Sequence, residues 1–249
     1  MESAILTGSL GAGAGNLADH AYATIKQQIF NFALLPGDLL SENTLSKTVA
    51  VSRTPLRQAL QRLQYEGFVL AIPKVGWQVV PVNFAKLDEL YDFRLLIETH
   101  CVAQLCAAPA CHPKIQPMLA SWDIDETMLP SVGLEVGALD EGFHQGLVAA
   151  LGNAEIIRTH ADITERIRLV RRLDFTQQVR IQETFREHTA ILECILNQNS
   201  AQAQDLIRSH IQASKAKVRE ITLAMLQNAR PTIEPRMTID ADARHSQQN

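Results

Sequence analysis

The chain has 249 residues, of which 46% are hydrophobic and 20% charged, which is enough apolar sequence for one large domain or two modest ones. Its net charge of −4 at pH 7 excludes a polycation, so contact with nucleic acid would need a local basic surface. Aromatic residues make up only 5% of the chain, which argues against readout of single strands by base stacking.

No apolar run is long enough to cross a membrane, and the N-terminus has neither the basic region nor the apolar block of a secretion signal. We therefore expect a cytoplasmic protein. The cysteines agree with a reducing compartment, because their spacing forms neither a C-x-x-C pair nor a disulfide pattern. We expect four small buried side chains at Cys101, Cys106, Cys111 and Cys194.

The chain begins with a predicted flexible arm, residues 1–16, because this stretch is rich in glycine and other small residues. Apolar side chains then recur at helical spacing from Leu17 to Ile29, which predicts a first helix over 17–34. The turn-forming sequence LPGD ends this helix.

Two further helices follow this turn. Ser41 is a candidate N-cap for a second helix over 42–49, and Ser52 can cap a third helix that carries Pro55 in its first turn. A proline is harmless there, because the first N–H groups of a helix have no partner within it.

The third helix has an apolar face and a polar face. The apolar face runs from Leu56 to Leu63 and can anchor the helix on the other two. The polar face presents side chains that bond base edges or phosphates, at the end of the helix that enters the major groove in helix-turn-helix proteins. An ordinary surface helix with solvated charges is the alternative. The candidate DNA contacts on this helix are Ser52, Arg53, Thr54, Arg57, Gln58 and Gln61.

A small hairpin completes the front of the chain. Residues 69–82 are rich in β-branched side chains and contain a proline and a glycine, which predicts two strands that turn near Lys74 to Gly76. The sequence therefore predicts a winged helix-turn-helix DNA-binding domain over 17–82.

Residues 40–79 closely resemble the winged helix-turn-helix of the GntR family of bacterial transcription regulators. The resemblance implies that the third helix contacts duplex DNA and that Lys74 and Gly76 of the wing reach the minor groove or the backbone. The residues that carry the resemblance are Glu42, Leu45, Val51 to Arg57, Ala59, Leu60, Leu63, Glu66, Gly67 and Gly76.

Two positions depart from the family pattern. Asn43 stands where related regulators often carry a DNA-contacting arginine, so one base or phosphate contact is in question. Ala50 stands where the turn often has a glycine, so this turn must form without one.

Residues 83–229 show no strand signal and predict an all-α body, followed by a polar, proline-containing tail over 230–249. The fold class is therefore mainly α. Gly152 can end a helix in the left-handed conformation, and prolines are expected to break up the region after the first long helix. These prolines are Pro109, Pro113 and Pro117. The predicted body helices are 84–107, 114–122, 132–151, 154–172, 178–197 and 201–228.

Asp140 and His144 lie four residues apart on one predicted helix, so their side chains share a face. Such a pair can bind a divalent cation, or its members can simply hydrogen-bond to each other. His188 and His210 lie in later helices, and packing these helices together would place one Asp and three His around an ion. This donor set suits Zn, Ni, Mn or Fe. Ordinary surface or core roles are expected for His20, His100, His112, His160 and His245.

The same four positions match the FCD domain of the FadR branch of the GntR family, in its shorter VanR-like form. This resemblance implies an antiparallel helical bundle for effector binding and dimerisation, with a metal ion held by those four side chains. It also implies that Arg94 points into the cavity and pairs with an acidic effector. A salt bridge from Arg94 to Glu98, one turn later, is an equal alternative.

The family resemblance implies a homodimer with a near-palindromic operator, and together with the features above it predicts a DNA-binding regulator whose affinity is controlled by a small carboxylate bound at the metal. The sequence does not identify the effector or distinguish repression from activation. One alternative is a regulator with a purely structural metal. The other is a helical metalloenzyme, which is disfavoured because the chain lacks His-Glu-x-x-His and Gly-x-Ser-x-Gly. Glu187, the nearest candidate base, is expected to point elsewhere on its helix.

Overall fold

The computed structural model describes residues 12–124, 133–175 and 178–220. The described chain forms an N-terminal head of three helices and a small sheet, followed by a helical body. The head contains α1 (Ala12–Phe30), β1 (Leu39–Leu40), α2 (Glu42–Val49), α3 (Arg53–Tyr65), β2 (Val69–Ile72) and β3 (Gly76–Val79). The body contains α4 (Phe84–Ala107), α5 (His112–Trp122), α6 (Gly133–Ala150), α7 (Ala154–Asp174), α8 (Gln178–Leu196) and α9 (Ser200–Arg219).

The head has its own hydrophobic core, built mainly where α1 packs against α3. Ile25 of α1 and Leu56, Leu60 and Leu63 of α3 have no exposed surface. Burying each such side chain contributes roughly 1.5–3 kcal/mol. The apolar face predicted for the third helix is therefore the face that fixes it to the head.

The first helix differs from its prediction at both ends. It begins at Ala12, so residues 12–16 of the predicted arm are helical, and it ends at Phe30 rather than at residue 34. The early end follows from tertiary packing, because Phe32 adopts a left-handed φ of 61° and is buried with Leu35 in the core of the body. Helical periodicity alone cannot reveal that these two side chains belong to another domain. Residues 1–11 of the arm and the tail over 230–249 lie outside the described residues.

The wing is a three-stranded antiparallel sheet in the order β1-β3-β2. The hairpin was predicted, and β1 was not, because a two-residue strand carries no sequence pattern. Gly76 has a φ of 134°, and a Cβ atom at this position would lie 2.9 Å from the backbone oxygen of Leu40. Glycine is therefore required where β3 approaches β1.

The turn between α2 and α3 forms without glycine. Ala50 takes the left-handed conformation with φ 57° and ψ 41°, and the Ser46 hydroxyl donates to the backbone oxygen of Val51 at 2.5 Å. Ser41 and Ser52 occupy the predicted N-cap positions with extended backbones, but neither side chain makes a capping hydrogen bond.

We expect Ala50→Gly to raise the free energy of unfolding by up to about 1 kcal/mol, because the left-handed conformation costs an L-residue roughly 1–2 kcal/mol and glycine returns part of this as chain entropy. Urea unfolding of the two proteins measures the difference. A glycine variant less stable than the parent would contradict the expectation.

The body is the predicted helical bundle, in which α4 packs against α9, α5 against α8, and α6 against α7. The region after α4 is broken up as expected, because α4 ends at Ala107 and a short 3₁₀ helix over Pro109–Cys111 precedes α5. Pro113 and Pro117 both lie within α5, where Pro113 is in the first turn and removes no helical bond. Gly152 has a φ of 74° and follows α6 as expected. The chain beyond residue 220, where the last helix was predicted to continue, is outside the described region. No helix within the described ranges is long and apolar enough to cross a membrane.

Candidate nucleic-acid interface and metal centre

The predicted DNA-contacting side chains share one solvent-facing surface formed by α3, the start of α2 and the wing. This placement follows from the burial of the opposite face of α3. The exposed residues are Ser52, Arg53, Thr54, Arg57, Gln58, Gln61 and Lys74, and Gly76 is half-buried beside them.

Two residues at the start of α2 hold the arginines of α3. The Arg57 Nε atom donates to both carboxylate oxygens of Glu42 at 3.0 and 3.1 Å, and Arg53 donates to the Asn43 Oδ1 atom at 2.9 Å. Burial favours a higher pKa for Glu42, but hydrogen bonds from Trp77 of the wing and from Arg57 outweigh it and lower that pKa. Asn43, which departs from the family pattern, therefore positions Arg53.

Packing of α6, α8 and α9 brings the four predicted metal ligands together in the interior of the body. Each of the four is buried, and one donor atom from each lies within 4.8 Å of the others. The Nε2 atom of His210 is 3.2 Å from that of His144 and 3.3 Å from that of His188. Asp140 Oδ1 is 3.5 Å from both His144 Nε2 and His188 Nε2. Neighbouring donors around a single cation at roughly 2.0–2.2 Å lie at about such separations.

Hydrogen bonds on the far side of two imidazole rings determine their tautomers. His144 Nδ1 is 2.5 Å from Glu98 Oε2, and His210 Nδ1 is 2.6 Å from Glu187 Oε2. A carboxylate accepts, so each Nδ1 carries the proton and each Nε2 carries a lone pair. Two lone pairs then face each other across 3.2 Å. Neutral rings in this arrangement cannot hydrogen-bond to each other, whereas a cation between them would bind both.

The three histidines are neutral near pH 7, the form that binds a metal. Burial, together with the charge of Arg94, lowers the pKa of His144 to about 4. Burial lowers the pKa of His210 to about 3, although its hydrogen bond with Glu187 acts in the opposite direction. Burial and the neighbouring histidines hold the pKa of His188 well below its usual value.

Asp140 serves two partners through its two oxygens. Oδ1 faces the histidines, and Oδ2 accepts a hydrogen bond from Arg171 of α7. The role of Arg171 was not predicted, because no sequence pattern links two residues on different helices before those helices are packed.

Glu98 joins the metal-ligand cluster to Arg94. It accepts from Arg94 Nε at 2.6 Å, from His144 Nδ1 at 2.5 Å and from His160 Nε2 at 2.9 Å. Burial alone would raise the pKa of Glu98, but the charge of Arg94 and the bonds from both histidines hold it well below its usual value. His160 is a core residue, as expected, but its part in this network was not predicted.

The expectation for Glu187 is wrong. This carboxylate does not point away from the site, because it accepts from His210 Nδ1 and from Arg180 at 3.0 Å. It therefore orients a candidate metal ligand, as carboxylates around protein metal sites commonly do. Of the remaining histidines, His20 and His100 are exposed, His112 is half-buried and His245 is outside the described region.

Comparison with known families identifies the two domains. Residues 17–79 match the family of bacterial regulatory proteins named gntR, and residues 89–213, half of the chain, match the FCD domain. The chain belongs to the GntR family. It is accordingly a DNA-binding transcriptional regulator with an FCD domain and not an enzyme.

Relatives that match this GntR regulator over more than two thirds of their length support the assignment. The Nta operon transcriptional regulator of Aminobacter aminovorans is 30% identical over 75% of this chain and 87% of the relative. The gluconate operon transcriptional repressor of Bacillus subtilis is 27% identical over 68% of each chain. The fold is shared with a GntR regulator from Rhodococcus sp. RHA1, with a TM-score of 0.62 and 17% identity over 83% of this chain and 99% of that one.

Of the two alternatives for Arg94 of this GntR regulator, the salt bridge to Glu98 is confirmed, and pairing with an acidic effector stays a prediction. Its Nε atom makes the salt bridge to Glu98, and its side chain has no exposed surface. Its two terminal nitrogens, Nη1 and Nη2, are buried and have no hydrogen-bond partner among the described residues. Leaving a buried donor unbonded costs about 1–3 kcal/mol, more for a charged group. A planar anion is the ligand that two such nitrogens fit.

Proposed function

We propose that this regulator binds its operator with an affinity controlled by a divalent cation and a small carboxylate effector in the FCD domain. The cation would be held by Asp140, His144, His188 and His210. The observation that carries the proposal is the pair of facing Nε2 lone pairs on two neutral histidines, each fixed by a carboxylate behind it. When bound, the cation supplies a Lewis-acid position for an oxygen of the effector.

Arg94 would provide the second contact to the effector. Glu98 binds Arg94 through one carboxylate oxygen and His144 through the other. The guanidinium of Arg94 therefore lies close to the imidazole ring of His144, one of the four proposed metal ligands. A carboxylate reaching both Arg94 and the cation must be small. Zn, Ni, Mn and Fe all accept this Asp and His donor set.

DNA binding would use the exposed polar face of α3 together with the wing. We propose that two chains associate and place their α3 helices in successive major grooves, so that the operator is nearly palindromic. The exposed apolar side chains Phe93 and Leu96, one turn apart on α4, support association through the body. Relatives named as repressors support repression as the mode of control. We propose domain limits of 17–82 for the DNA-binding part and 83–229 for the effector-binding part.

The proposal is tested by titrating metal-loaded protein with a panel of small carboxylates and measuring its affinity for operator DNA selected from the host genome. At least one carboxylate should change the operator Kd by about 5- to 150-fold, the usual range of allosteric coupling. If every carboxylate leaves the Kd unchanged while the metal stays bound, the metal is structural and the effector role is wrong.

Arg94→Gln should abolish the response to the active carboxylate and keep the metal, because Arg94 touches no metal ligand directly. Thermal-shift titration with that carboxylate, beside elemental analysis of bound metal, separates the two effects. Arg208→Gln is the matched control, since Arg208 is exposed on α9 and pairs with Asp205. If the carboxylate raises the Tm of Arg94→Gln as much as it raises the Tm of the parent, Arg94 does not bind the effector.

A further inference from the structure

Two carboxylate–arginine pairs tie α6 to α7 beside the metal-ligand cluster. Asp140 accepts from Arg171, and both oxygens of the adjacent Glu141 accept from Arg168 Nε at 2.9 and 3.0 Å. Asp140 and Arg171 are almost fully buried, so their ion pair is poorly screened by solvent. The position of α7 relative to α6 therefore depends on charge at Asp140.

Two arginines in the same part of α7, Arg168 and Arg172, also contact the C-terminal end of α1 in the DNA-binding head. Arg172 donates to the backbone oxygen of Phe30 at 3.0 Å and to Asn31 Oδ1 at 3.2 Å. The Arg168 guanidinium lies over the Phe30 ring, 4.8 Å from its centroid. A cation at the last carbonyls of a helix interacts favourably with the helix dipole, so Arg172 is well placed to hold this end.

A third set of contacts, made by Lys26, connects α7 to the end of α3, the helix proposed to enter the major groove. Lys26 of α1 forms an ion pair with Glu165 of α7 and another with Glu66, at 2.6 Å, immediately after the end of α3. Beside these contacts a cleft of about 550 Å³ lies between head and body.

We propose that α7 couples metal occupancy to DNA affinity through Arg168, Arg171 and Arg172. This inference rests on the proposed function, because it takes the metal to be bound at Asp140. A divalent cation on Asp140 Oδ1 and the Arg171 guanidinium on Oδ2 would share the charge of one carboxylate. Binding of the cation would therefore weaken the ion pair between Asp140 and Arg171. Since a helix moves as a unit, a shift at Arg171 is passed to Arg168 and Arg172, and through Phe30 to the head.

The test compares operator Kd for Zn²⁺-loaded and metal-stripped protein, using DNA selected from the host genome. The parent should show a Kd ratio of about 5- to 150-fold between the two states. Arg172→Gln should bring this ratio to within about twofold of one while binding as much Zn²⁺ as the parent, because Arg172 contacts none of the metal ligands. Arg158→Gln, an exposed arginine on the same helix paired with Glu155, should keep the parental ratio.

Glu141→Gln provides a second variant, at a residue of the body, that weakens the ion pair with Arg168. It should also reduce the ratio, and it carries the test if Arg172→Gln does not fold. A parental ratio in folded Arg172→Gln or Glu141→Gln overturns the coupling through α7 while leaving the proposed metal control intact. A ratio of one in the parent protein itself overturns metal control and this inference together.

Discussion

Replacing His188 and His210 together by alanine is expected to remove most of the metal bound by the protein. Each ring contributes one Nε2 donor, and the two that remain, from Asp140 and His144, stand next to each other on one side of the site. Two donors from one helix bind a divalent cation far more weakly than four donors that are fixed by packing. Elemental analysis after gel filtration measures the loss.

Thermal stability gives this prediction a second readout. Binding at a hundredfold excess of free metal over Kd stabilises a folded protein by about 2.7 kcal/mol, so a chelator should lower the Tm of the parent. The same chelator should leave the Tm of the double variant unchanged. The double variant His20→Ala and His100→Ala is the matched control, because both of these histidines are exposed. If the double variant His188→Ala and His210→Ala binds as much metal as the parent, neither histidine is a metal ligand.

Arg57→Ala is expected to weaken operator binding by about 1–3 kcal/mol, the range for an arginine that reads a base. In the free protein Arg57 is exposed and pairs with Glu42. Exposed ion pairs contribute only about 0–1 kcal/mol, so DNA can release this arginine at small cost. Titration of operator DNA at fixed salt concentration measures the difference.

Arg62→Ala is the control on the same helix. Arg62 lies over the ring of Tyr22 and pairs with Glu66 and Asp19, on the side of α3 that faces α1. Its loss should leave operator affinity nearly unchanged. For Arg57→Ala, a uniform loss on all duplexes with a salt slope reduced by about one would indicate a phosphate contact instead of a base contact. If Arg57→Ala and the parent bind operator DNA equally well, Arg57 makes no energetically important contact with the DNA.

The head could be predicted closely because its determinants are local. The apolar spacing of α3, the extended residues at its start and the glycine of the wing are all properties of short stretches, and each has its expected place. The end of α1 could not be predicted in this way. Phe32 leaves the helix to enter the core of the body, and that contact exists only after the two domains have met.

The candidate metal site, too, was predicted only in part from the sequence. Asp140 and His144 share a helix face at a spacing visible in the chain, and the two later histidines were proposed from their predicted helices and then matched by resemblance to a known domain. Arg171, Glu98 and Glu187 were missed or misplaced, because each reaches the cluster across a helix interface that sequence spacing does not encode.

By itself, then, the sequence determined the helices and the wing, the basic face of α3 and the types of donor in the body. Only the tertiary structure decided which atoms of those donors face one another. The tautomer of His144 is set by Glu98, which is 46 residues away in the chain, and the second oxygen of Asp140 is taken by an arginine of the next helix. The physical reason is that tautomer and charge depend on distances of a few ångströms between side chains, and packing alone sets those distances.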